Sequence, residues 1–93
     1  MTGSADPRVA GLRVAVARLR RELAGYPGEF PDRAVAEDEL AALDAMAVSG
    51  APEVPRLRRS LLLIAGSIGS VSALSVAVKG VREAVDLFGE PAR

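Results

Sequence analysis

The sequence predicts an all-α fold, an antiparallel helical hairpin packed on a long third helix that is either whole or kinked, giving a three- or four-helix bundle. Three observations carry that expectation. Apolar residues recur at three- and four-residue steps in three separate stretches, Val9 to Leu23, Ala36 to Ala47 and Leu57 to Val85, which is the spacing of one face of an α-helix. Two clusters of helix-breaking residues separate them, Gly25-Tyr26-Pro27-Gly28 and Ser49-Gly50-Ala51-Pro52. An uncharged run from Ser60 to Val78 then stands between Arg56, Arg58 and Arg59 on one side and Lys79 and Arg82 on the other.

Asp6 followed by Pro7 is a helix start, with the carboxylate as N-cap and the proline at the first helical position, where its missing N–H costs nothing. The first helix is expected from Pro7 to Ala24. Val9, Leu12, Val16, Leu19 and Leu23 form its apolar seam, and Tyr26 prolongs the register past Gly25. Glu22 is placed to pair with Arg18 one turn earlier. The Gly25 to Phe30 connection is short, so the two helices it joins should be antiparallel neighbours.

The second helix is expected to begin at Pro31 or Asp32. Its inner stripe is Ala36, Leu40, Leu43 and Ala47, with Val35 and Met46 on the flank. Between Arg8 and Glu22 five arginines stand against one glutamate, whereas between Asp32 and Asp44 one arginine stands against five carboxylates. The hairpin should therefore attract, although each exposed pair contributes little.

Ser49-Gly50 ends the second helix and Pro55 opens the third, which extends to Phe88 before Gly89 and Pro91. Leu57, Leu61, Ile64, Ile68, Val71, Val78 and Val85 make a stripe of large residues along it. Gly66, Ser70, Ala73, Ala77, Gly80 and Ala84 make a second stripe, of small residues, on another side. A kink is expected near Gly66 to Ser70 or at Lys79-Gly80. Small residues let a neighbouring backbone approach closely. Gly66, Ser70, Ala73, Ala77 and Gly80 are accordingly the expected interaction face, either for packing within the chain or for self-association. As one helix, residues 60–78 would be about 28 Å long, close to a bilayer's hydrocarbon thickness. The serines and glycines dilute the run's apolarity, so a membrane span or embedded segment is the alternative and not the leading reading.

The 93 residues make one domain, near the lower end of what buries a self-sufficient core, and oligomerisation would help it. Residues 1–5 and 90–93 are expected to be mobile. Cysteine and histidine are both absent, which removes disulfides, thiolate nucleophiles, most metal-ligand sets and the commonest general base. Net charge is zero, which argues against nucleic-acid binding through an overall field. The start, MTGSADPR, shows no basic region followed by an apolar core, so the cytoplasm is the expected compartment.

Chemical candidates are few. Glu37, Asp38 and Glu39 are consecutive, and helical residues fan out by about 100° each, so they do not converge on a metal. Lys79 lies one turn after Ser75, but nothing supplies the pocket that a serine-lysine pair needs. The glycines of Gly66-Ser67-Ile68-Gly69 follow no strand and lack a phosphate loop's lysine. Arg56, Arg58 and Arg59 are offered as an anion contact, since cationic charge at a helix start opposes the dipole and favours an anionic neighbour. No catalytic, cofactor or metal residue is expected, and no small-molecule substrate. The expected partner is a second copy or another protein.

Ala-Glu-Asp-Glu-Leu-Ala-Ala-Leu at 36–43 and Pro-Arg-Leu-Arg-Arg-Ser-Leu-Leu-Leu-Ile-Ala-Gly-Ser-Ile-Gly-Ser-Val-Ser-Ala-Leu at 55–74 resemble small uncharacterised proteins of Streptomyces and related actinobacteria, over most of the chain. The excess of arginine over lysine fits a GC-rich genome. The resemblance implies a compact helical protein and carries no activity or residue role with it.

Overall fold

Asp6 accepts a hydrogen bond from the backbone N–H of Arg8 at 2.9 Å and so supplies a partner to one of the N–H groups that a helix start leaves unpaired. The computed structural model describes residues 6–89. The ends expected to be mobile, 1–5 and 90–93, lie outside the described residues. Helix α1 runs Pro7–Gly25 and stops ahead of Pro27. Helix α2 runs Arg33–Val48, with Asp32 at its N-cap position. The chain leaves α2 through Gly50, whose φ of 81° favours glycine. Helix α3 runs Val54–Ile68, with Pro55 in its first turn.

The long third helix does not form as one rod. After Ile68 the last helical hydrogen bond runs from Gly69 N–H to the Ala65 carbonyl, at 2.9 Å. Val71 is extended, a 3₁₀ turn covers Ser72–Leu74, and helix α4 runs Ser75–Gly89. Gly66 and Gly69 weaken helix continuation here. Breaking the rod also lets both halves of the large-residue stripe fold back into one core. A continuous helix would leave one half overhanging the shorter hairpin.

The four helices form a ring in which α1 neighbours α2, α2 neighbours α3, α3 neighbours α4 and α4 returns to α1. Polar contacts set the directions. Arg13 Nε donates to Asp44 Oδ1 at 3.3 Å across α1 and α2. Ser60 Oγ donates to Glu39 Oε1 at 2.8 Å across α3 and α2. Arg58 stands 3.6 Å from Asp86 across α3 and α4, and the Arg8 guanidinium lies 5.0 Å from the Phe88 ring centre across α1 and α4. Three of these contacts join the start of one helix to the end of its neighbour, and the short connection between α2 and α3 makes that pair antiparallel too, so the fold is an up-down-up-down four-helix bundle.

Its core contains the predicted stripes. Leu12, Val16, Leu19 and Leu23 meet Ala36, Leu40, Leu43 and Ala47, and Leu57, Ile64, Ile68, Leu74, Val78, Val81 and Val85 close the other side. Each large aliphatic side chain buried here contributes on the order of 2 kcal/mol.

Candidate functional site

Because Leu57, Ser60, Ile64 and Ile68 turn into the core, the 100° step of the helix pushes Leu62, Gly66 and Arg59 to the outside of α3. Leu62 is 73% exposed and Leu63 38%, and Val35, on the adjacent side of α2, is 40% exposed. Exposed aliphatic side chains are not confined to this side, since Val14 is 70% and Val76 65% exposed; what sets α3 apart is that Leu62 and Leu63 adjoin on one helix.

Two grooves flank α3. Toward α4 lies one of about 640 Å³ with Ala65, Gly69 and Val78 along it and Lys79, Arg82 and Asp86 at its edge. Toward α2 lie two adjoining hollows of about 450 and 260 Å³, which share Ala42, Met46 and Arg56. Arg59, Ser60 and Leu63 line the smaller one. Ala42 and Ala45 are short enough to keep this trench shallow and open.

The arginines expected to meet an anion separate into two groups. Arg58 turns toward α4 and Asp86. Arg56 and Arg59 turn toward α2 along the trench, and neither forms an ion pair among the described residues. The three neighbouring acids fan out as the helix requires. Glu37 pairs with Arg33 on its own helix at 3.4 Å, Glu39 receives the Ser60 hydroxyl, and Asp38 stays exposed on the outside of α2. Among the described residues no three His, Cys, Asp or Glu side chains cluster around a common point. The Ser75 hydroxyl donates to the Ser72 carbonyl at 2.9 Å, so it is engaged with its own turn and not with Lys79.

The break distributes the small-residue stripe. Gly66 is exposed on α3, Ser70 sits in the connection, Ala73 is exposed in the 3₁₀ turn, Ala77 is buried in α4, and Gly80 is half-buried. These five do not share one helix face. A Cβ built on Gly66 or Gly80 meets nothing within 4 Å, so no helix of the same chain closes on either glycine. No helix among the described residues is long and apolar enough to cross a membrane.

Two structural residues escaped the sequence reading. Ser60, counted within the apolar run, is buried and tied to Glu39. Its signal was its place in register with Leu57 and Ile64. Arg33, counted only as a charge, anchors the end of α1. Its Nη1 donates to the carbonyls of Tyr26 and Gly28, each at 3.1 Å, and its Nη2 to that of Leu23.

The family model described as "Family of unknown function (DUF5955)" matches residues 1–89. No curated protein and no solved structure matches the chain.

Proposed function

We propose, for a chain that belongs to the DUF5955 family of unknown function, that it is a noncatalytic helical interaction module in the cytoplasm of an actinobacterial cell, and that it binds a protein through the outer surface of α3. The observation that carries this reading is Leu62, 73% exposed at the crest between two grooves. Beside it are Leu63, the unfilled space at Gly66 and the cationic Arg59. An apolar centre with a charged rim is the composition of a protein-binding patch. Of the small-residue face, Gly66 belongs to this surface, whereas buried Ala77 contributes to the core.

A photoreactive amino acid placed at position 62 in the intact chain, activated in cells, tests the proposal. A discrete covalent adduct from position 62, absent when the same group replaces Val14 on α1, is expected. Equal labelling from both positions, or none from 62, overturns the reading. Association with an anionic membrane surface is the second reading, and the same adjacency of Leu62 to Arg58 and Arg59 supports it. Cosedimentation with phosphatidylglycerol vesicles that is lost in Leu62→Ser would favour it over a protein partner.

A further inference from the structure

We infer that the occupant of this surface is a second copy of the chain, docked α3 on α2 about a twofold axis that runs along the bundle. This inference rests on the interaction reading above and adds its partner and geometry.

Charge and height along the bundle select this docking. The outer rim of α3 beside the trench carries Arg56 and Arg59, and the corresponding rim of α2 carries Asp38 and Glu39. Arg56, Arg59 and Asp38 have no ion-pair partner among the described residues. A symmetric dimer presents the same patch twice, so three pairings are conceivable. Setting α3 on α3 brings arginine toward arginine, and setting α2 on α2 brings acid toward acid. Only α3 on α2 joins opposite charges, and it does so twice, once for each copy.

The Ser60 to Glu39 hydrogen bond, 2.8 Å long, fixes Arg59 and the pair Asp38 and Glu39 at nearly the same height on the bundle. A twofold axis along the bundle preserves height. It therefore carries Asp38 and Glu39 of the second copy to the level of Arg59 and not past it. The same operation lays Leu63, which lines the trench, over the low surface of Ala42 and Val35 of the second copy, with Leu62 at the edge of the contact. Three apolar positions on this side, Val35, Met46 and Leu63, are thereby covered on each chain, with the charges at the rim where they select register.

The test is the absolute mass in solution, by light scattering coupled to size exclusion without detergent, over a range of concentrations. The chains measured are the full-length protein, Arg59→Glu, Asp38→Arg, and an equal mixture of the two variants. Both positions are exposed, and helical circular dichroism confirms that each variant folds. The unaltered chain should be a dimer, and each variant alone should dissociate with a constant raised on the order of a hundredfold, because like charges then face each other twice. The mixture should recover the dimer, since Glu at 59 meets Arg at 38 across one half and the native pair is retained across the other. A dimer insensitive to both variants overturns the docking geometry and leaves self-association standing. A single-chain mass at every concentration overturns the second copy as partner, while the cross-link at position 62 decides separately whether the surface binds a protein at all.

Discussion

Arg33 Nη1 donates to the Tyr26 carbonyl at 3.1 Å, so a side chain from the start of α2 closes the end of α1. The same guanidinium reaches the Gly28 and Leu23 carbonyls and stands 5.7 Å from the Phe30 ring centre. The last carbonyls of a helix lack intrahelical partners, and a cation there also meets the negative end of the dipole. One residue thus adds a second donor to the Leu23 carbonyl, which also accepts the Tyr26 N–H, and ties down the turn that makes the hairpin.

Arg33→Met should therefore lower unfolding stability by about 1.5 to 3 kcal/mol, the range for hydrogen bonds made by a charged group. Glu37→Gln, which removes only the exposed ion pair to the same arginine, should change it by less than about 0.5 kcal/mol. Urea denaturation of both variants measures the contrast, and equal losses would mean that the carbonyl contacts are not what matters.

Ser60→Ala should cost about 1 kcal/mol, because it removes the hydroxyl from a site that is 5% exposed while Glu39 can still turn to water. Glu39→Ala should cost a similar amount. If the hydrogen bond is the shared cause, the double variant loses less than the two single losses added together, with a coupling of about 1 kcal/mol. Strict additivity would deny it.

Gly66 and Gly69 should respond to alanine in opposite directions. Space is open around Gly66, within α3, so Gly66→Ala should raise stability by about 0.5 to 1 kcal/mol through its backbone preference. A Cβ on Gly69 overlaps the Ala65 carbonyl, so Gly69→Ala should lower stability by about 1 to 3 kcal/mol. Thermal unfolding of the two variants reads the signs directly. If Gly66 also serves as a contact, its stabilising alanine should weaken assembly.

Asp6 gives the bundle an acid-sensitive start. Hydrogen bonds from the Arg8 side chain and backbone hold its carboxyl below the ordinary value of 3.8. A carboxyl whose folded value is depressed contributes stability that is fully present above its unfolded value and is lost as pH falls through the folded one. Asp6→Asn, which keeps an oxygen for the Arg8 N–H but not the charge, should unfold at a lower temperature than the unaltered chain at pH 7. That difference should shrink as pH falls below about 3.8. A difference that stays constant to pH 2 would show that the charge plays no part.

The helix boundaries were largely legible because they depend on neighbours in sequence. Asp6-Pro7, Gly25 to Pro27 and Pro55 start or stop helices through local backbone chemistry, and the stripes from Leu12 to Val85 announce their buried faces by spacing. The expected interaction face was less legible. Gly66, Ser70, Ala73, Ala77 and Gly80 share a face only on an unbroken helix, and the break after Ile68 sends Ala77 into the core. Arg56, Arg58 and Arg59 read as one cluster, yet Arg58 turns toward α4 while the other two turn toward α2.

By itself, then, the sequence determined the all-α class, most of the large core residues and the two turns on either side of α2, since propensity, capping and periodicity act over a few residues. Only the tertiary structure decided that the third apolar stretch divides into two helices. Folding both halves onto the hairpin buries Ile68 and Val81 in one core, a gain that no local pattern contains. That same decision set which side of α3 faces water, and with it the exposure of Leu62 and the alignment of Arg59 with Asp38 and Glu39.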